Sequence, residues 1–256
     1  MIPAGIHSEI VARLRQIEVD ERVRVLFAIE SGSRAWGFAS PDSDYDIRFI
    51  YARQAEDYLR LDPLRDVIEQ PIDGDIDLNG WDVQKALRLF WASNPTFVEW
   101  VQSPITYLEQ GSFRSQVAAC MDRIYSFEKA VYHYRSMAVS NFKLVSGGQV
   151  KLKRYFYVLR PLLCVRWIEE FGTIPPMEFR LLLPLVSDAG LLQDIEALLA
   201  RKAAIPELGL GAPLPRVQAF IETELRRLES AVPARHERAG TMDELNAIFR
   251  SAVADA

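Results

Sequence analysis

A chain of 256 residues is long enough for one large domain or two modest ones. With 49% hydrophobic and 25% charged residues, 13 Gly and 14 Pro, the composition excludes collagen-like, disordered and disulfide-scaffold classes. The net charge of −5 conceals two opposed segments. From Ala39 to Asp82 there are twelve acids against four arginines, a net of −8; from His133 to Ile168 there are seven bases and no acid. The first segment suits cations and the second phosphates, which together fit a metal-assisted reaction on a phosphorylated substrate. Mutual pairing of two oppositely charged surfaces is the plainer alternative.

No apolar run approaches the roughly 18 residues a membrane span needs, and Arg13, Arg15, Glu18 and Asp20 interrupt any signal-peptide core. The expected location is the cytoplasm, with no membrane partner. Cys120 and Cys164 lie in amphipathic stretches without CxxC spacing, so buried thiols are expected. His7, His133 and His236 are scattered and none is assigned to a metal.

In chain order, Ser8 to Val19 carries Ile10, Val11, Leu14 and Ile17 at helical spacing. Val23 to Ile29 is short, apolar and β-branched and runs into Glu30-Ser31-Gly32-Ser33, a strand ending in a polar turn. A second strand is expected over Asp42 to Tyr51, entered from a Ser-Pro-Asp turn, and a third over Asp75 to Leu78, ending before Asn79-Gly80. Asp82 is the expected N-cap of a helix over Val83 to Ala92; Ser93-Asn94-Pro95 ends it, and a further helix reaches about Gln102. Helices are expected over Ser126 to Val145 and Lys151 to Phe171, with more after Pro176, Gly190 and Pro215. Thr241-Met242-Asp243-Glu244 forms a capping box ahead of a last helix. The expected organisation is an α/β module over residues 1–110, a small mixed sheet with flanking helices, followed by a mainly helical domain over 111–256.

The chemistry concentrates between Ser31 and Ile47. If Tyr45 lies in a strand, Asp44 and Asp46 share the opposite face, because side chains alternate with a period of two. Two such carboxylates repel unless a cation lies between them or one keeps its proton. Hard, oxygen-seeking Mg²⁺ suits them. A third acid on a neighbouring strand would allow two cations to be bridged, as in phosphoryl transfer. Asp77, between Ile76 and Leu78, is preferred over Asp75 because it alternates cleanly into a half-buried strand. Gly32-Ser33, at the end of the first strand, offers a close backbone approach and donors for a phosphate.

Gly32-Ser33, a gap of ten residues, Asp44-Tyr45-Asp46 and the later Asp77 resemble the nucleotidyltransferase superfamily of DNA polymerase beta. More closely, the chain resembles the predicted nucleotidyltransferase branch associated with RNA repair. That likeness rests on Gly32 to Gly37, Ser43 to Asp46, Asp77 to Asp82, Asn94-Pro95, Glu99-Trp100, Ser103-Pro104, Lys153 to Tyr157 and Leu159 to Leu162. The resemblance implies a nucleotidyltransferase fold in which Asp44 and Asp46 bind two Mg²⁺ and Asp77 helps activate the acceptor hydroxyl. Gly32 and Ser33 would hold the NTP triphosphate, and a nucleoside monophosphate would pass to a hydroxyl with release of pyrophosphate.

RNA, favoured by the basic run, is the expected acceptor; protein or small-molecule acceptors stay open, as does a non-catalytic nucleotide-binding module. In the basic run, residues 151 and 153 are about 200° apart on a helix, so Lys153 pairs with Arg160 and Lys151 with Arg154. Lys153 and Arg160 are the candidates for the phosphates. Trp36, Phe38, Tyr45 and Trp81 could stack a base or fill the core, and Trp100 is expected in the core. Nothing in the sequence speaks to oligomeric state.

Overall fold

The computed structural model describes residues 2–143, 150–204, 209–233 and 238–254. Packing divides the chain into two compact units, one of Met1–Ala35, Asp44–Tyr125 and Arg238–Ala256, the other of Trp36–Ser43 and Ser126–Glu237.

The first unit is built on a five-stranded mixed sheet. Helix α1 (Ala4–Glu21) leads into β1 (Arg24–Glu30), a single helical turn α2 (Gly32–Ala35) and β2 (Tyr45–Ala52). Strands β3 (Val67–Glu69) and β4 (Ile76–Asp82) follow, then α3 (Val83–Trp91), α4 (Pro95–Gln102), β5 (Thr106–Glu109) and α5 (Phe113–Ile124). The strand order is β3-β4-β2-β1-β5, with β2 and β4 parallel and the other pairs antiparallel. Ile10, Leu14 and Ile17 of α1 are buried in a core with Val25, Ala28, Tyr45, Ile47, Phe49, Ile76 and Leu78, so one face of the sheet is closed by α1. Alternation then turns Asp46, Arg48 and Asp77 to the other face. The expected N-cap is present: Asp82 accepts from Gln84 N at 2.7 Å to start α3. Asn94 caps α4 in the same way.

The third strand does not stop before Asn79-Gly80 but runs through it to Asp82. Gly80 serves the sheet: it lies opposite Phe49 in register, and a Cβ there would come within 2.2 Å of the Phe49 ring. The glycine makes room for an aromatic neighbour and forms no turn. The short strands β3 and β5 carry no sequence signal of their own and were not expected.

The second unit is mainly helical, with α6 (Phe127–Phe142), a two-residue strand β6 (Val150–Lys151), α7 (Arg154–Phe171), α8 (Ala189–Ala204), β7 (Leu210–Gly211) and α9 (Pro215–Ser230). The helix expected from Lys151 begins at Arg154, because Val150 and Lys151 pair instead with Gly211 and Leu210, and Leu152 packs on Gly211. A 3₁₀ segment over Phe179–Leu185 follows Pro176. The last helix, α10 (Met242–Ala254), belongs to the first unit and starts where Thr241 Oγ1 accepts from Glu244 N at 3.4 Å. Cys120 and Cys164 are buried free thiols. Among the described residues no helix is long and apolar enough to cross a membrane.

Inside the second unit Arg166 of α7 grips Glu224 of α9 with two hydrogen bonds, 3.0 and 2.7 Å, and Arg227 adds two more at 3.3 and 3.0 Å. Burial pushes the Glu224 carboxyl up, but the hydrogen bonds and charges of the two arginines outweigh it and hold the group below the ordinary glutamate range. The stability this supplies is fully present above that ordinary range and is lost as pH falls through the lowered folded value. Glu224→Gln is therefore expected to cost about 2 kcal/mol at pH 7. In denaturant titrations the gap to wild type should close as pH falls through the lowered range of the folded Glu224 carboxyl; an unchanged gap would mean that the charge is not what binds α9 to α7.

Candidate active site

Parallel pairing of β2 with β4 makes Asp46 and Asp77 direct neighbours in register, with Arg48 and Asn79 the next pair on the same face. The Arg48 guanidinium lies between the two acids, 2.7 Å from Asp77 Oδ2 and 3.6 Å from Asp46 Oδ1, and also donates to the Ile47 and Asp77 carbonyls. The Asp46 carboxyl is raised above its usual range by burial first; Arg48 opposes this, while the nearby charges of Asp77 and Asp44 add to it. Asp44 sits just before β2, exposed, and its carbonyl accepts from Arg34 Nε at 3.1 Å. Asp75 precedes β4, also exposed, and contributes its carbonyl to Tyr45 N at 2.7 Å. No three His, Cys, Asp or Glu side chains among the described residues are grouped so as to hold a metal ion.

The Gly32-Ser33 turn stands directly against the second acid. Gly32 has φ +60°, and a Cβ there would lie 2.1 Å from Asp46 Oδ2. Only glycine permits both the backbone conformation and the contact. Ser31 N donates to the Asp46 carbonyl at 2.8 Å, so turn and strand are stitched together, and Ser33 follows, half-buried, in α2. Arg34 lies over the Tyr45 ring, 3.9 Å from its centroid, and Tyr45 is buried in the α1 core.

Beneath this lies a residue to which no role was assigned from sequence. Glu30, the last residue of β1, is fully buried; its Oε1 accepts from Asp46 N at 2.9 Å and its Oε2 accepts the Tyr107 hydroxyl. Burial pushes its pKa up to about 7 against the pull of Tyr107 and the Asp46 amide. Glu30 fixes the backbone of the catalytic acid candidate. Arg48, two residues after Asp46, could have been placed on the acid face by strand alternation alone; the burial of Glu30 could not.

The basic candidates belong to the second unit. Lys153 is half-buried at the start of α7. Arg160 is 2% exposed, with Nε and Nη2 donating to the Met177 carbonyl at 3.2 and 3.1 Å and its guanidinium 4.8 Å from the Trp36 ring centroid. Phe38 is buried on Phe156 at 4.7 Å. In the first unit Trp100 is core, and Trp81 stacks on it at 4.0 Å.

The site thus combines two acids on a parallel strand pair with a Gly-Ser turn packed against one of them. The chain belongs to RlaP, the RNA repair pathway DNA polymerase beta family, which matches residues 6–251, and it is a DNA polymerase beta-like nucleotidyltransferase. It is 44% identical over 249 residues, 96% of each chain, to the Bacillus subtilis (strain 168) protein described as "Uncharacterized protein YcgL". Among solved structures it is similar to a nucleotidyltransferase-like protein from Exiguobacterium sibiricum 255-15, at 12% identity and a TM-score of 0.33 over 83% of this chain and 73% of that one.

Gly32→Ala is expected to cost stability and transfer activity together, because it displaces Asp46. Gly74→Ala shares a positive φ but has nothing within 4 Å of the new Cβ, so it should carry only the backbone cost of about 1–2 kcal/mol. Equal melting-temperature losses in the two variants would show that the contact with Asp46 does not matter.

Proposed function

We propose that the protein transfers a nucleoside monophosphate from an NTP to a hydroxyl of RNA, using divalent magnesium held by Asp44, Asp46 and Asp77. The observation that carries this reading is the register that sets Asp46 beside Asp77 on one sheet face, with Gly32 packed against the Asp46 carboxylate. The donor chemistry fits a hard cation: both carboxylates supply oxygen only, and their mutual repulsion already draws a guanidinium between them. Two magnesium ions, when bound, would supply charge neutralisation and Lewis acidity at the α-phosphate.

The chain's own residues would do the rest. Ser33 and the turn amides hold triphosphate oxygens. The acceptor oxygen bonds to the α-phosphorus as the bond to the β-bridging oxygen breaks, and pyrophosphate leaves with that electron pair. Asp77 takes the acceptor's proton. Lys153, half-buried at the start of α7, supports a contact to the departing phosphates; Arg160, bonded to Met177, would act by holding Trp36 and the Met177 carbonyl in place. RNA as acceptor is supported by the family's description and by the acid-free run from His133 to Ile168, of which Arg160 and Arg166 are engaged internally. The cytoplasm is the compartment this substrate pairing suits.

Incubation with α-³²P-labelled NTPs, Mg²⁺ and total RNA should place label on RNA. Asp46→Asn and Asp77→Asn should each reduce transfer on the order of 10³-fold or more while leaving the melting transition in place. Label appearing on protein instead would replace the acceptor, and full activity in either variant would overturn the assignment.

A further inference from the structure

Arg48 carries a positive charge into the acid face of the first unit. It stands opposite Asn79 in register, two residues along the strands from Asp46 and Asp77, so both acids are within reach of its long side chain. Its two terminal nitrogens have different partners. Nη1 donates to the Ile47 and Asp77 carbonyls at 2.9 and 3.2 Å, which fixes the guanidinium to the backbone of β2 and of β4. Nη2 faces the acids, 2.7 Å from Asp77 Oδ2 and 3.6 Å from Asp46 Oδ1. The other Asp46 oxygen, Oδ2, lies against the Gly32 turn. A guanidinium pinned by two carbonyls cannot swing clear of the acids without giving up hydrogen bonds, so its charge stays beside them. Two carboxylates this close repel unless a cation joins them, and here the cation belongs to the chain. A divalent ion bound to the same oxygens would meet that fixed positive charge and lose affinity to it.

We propose that Arg48 is a positioning residue that stands in for the metal: it neutralises Asp46 and Asp77 in the metal-free protein and lowers their affinity for free magnesium, so that the ion binds together with the nucleotide. This rests on the reading of Asp46 and Asp77 as metal ligands. Magnesium gives up its water reluctantly and is commonly held by one or two carboxylates plus substrate phosphates. Arg48 cancels part of the charge that the carboxylates offer, and a triphosphate restores it with its own anionic oxygens.

Mn²⁺, titrated calorimetrically into the metal-free full chain without nucleotide, reads this role apart from transfer. Arg48→Gln keeps an amide donor but no charge, and should bind Mn²⁺ about tenfold tighter than wild type. Arg48→Lys keeps the charge and should stay within about threefold of wild type. Without metal Arg48→Gln should melt below wild type, and saturating Mn²⁺ should raise its melting temperature by more than it raises that of wild type. Mn²⁺ affinity in Arg48→Gln no tighter than wild type overturns the proposal. Equal tightening in Arg48→Lys overturns it too, since charge is then not the cause. Should Arg48→Gln fail to fold, refolding in Mn²⁺ but not in its absence supports the proposal, and failure in both overturns it. An Mn²⁺ site that survives Asp46→Asn and Asp77→Asn removes the metal reading and this inference with it. Unchanged affinity in Arg48→Gln, with binding abolished by the two Asp→Asn changes, removes this inference alone. Tighter Mn²⁺ binding in Arg48→Gln, with no transfer by wild type to any acceptor, keeps the role of Arg48 and removes the transferase reading.

Discussion

Two carboxylates held side by side on neighbouring strands repel each other, and the architecture of the first unit follows from keeping them there. A parallel β2–β4 pair sets Asp46 against Asp77, and α1 closes the opposite face so that neither strand can slip register without exposing Ile47, Phe49, Ile76 and Leu78. A one-residue slip would also bury the acids. The repulsion is thus opposed by the hydrophobic face, a non-directional force that acts over the whole strand length.

Local devices then fix the second acid within that frame. The Asp46 amide is held by Glu30 and its carbonyl by Ser31 N, so its backbone is tied on both sides. Glu30 is an unusual choice for a buried anchor, because removing a carboxylate from water costs several kcal/mol before any partner is counted. Tyr107 and the Asp46 amide supply two donors to it, which is why the group can stay in the core at all. Arg48, two residues on along β2 and on the same face, completes the arrangement. Its bonds to Asp77 and to two carbonyls aim the third acid and leave the Asp46 carboxylate at 3.6 Å, the looser of the two contacts.

Much of this was legible because it depends on period. Helix α1, strands β1 and β2, the Asp82 cap, the Asn94-Pro95 start of α4 and the Thr241 capping box all follow from local patterns that the tertiary structure did not override. Asn79-Gly80 misleads because glycine has two uses, reversing a chain and making room beside a ring, and only the Phe49 contact tells them apart. Strands β3 and β5 are three and four residues long and gain their identity from partners distant in sequence, so no window around them carries it. At the site, the Gly-Ser turn and the acids were readable as a spacing. The burial of Glu30 and Lys202 was not, because charged residue type argues against burial and only the fold creates the exception.

The ten residues between Ser33 and Asp44 include Trp36 and Phe38, which from sequence could stack a base or fill the core. Trp36 to Ser43 packs within the helical unit, anchored by Phe38 among Phe156 and Phe179 and by the Trp36 carbonyl. Within that unit the Ser40 hydroxyl also accepts from Lys202 Nζ at 3.3 Å. The two parts of the acid motif are therefore joined by a segment whose conformation is set by the second unit's core.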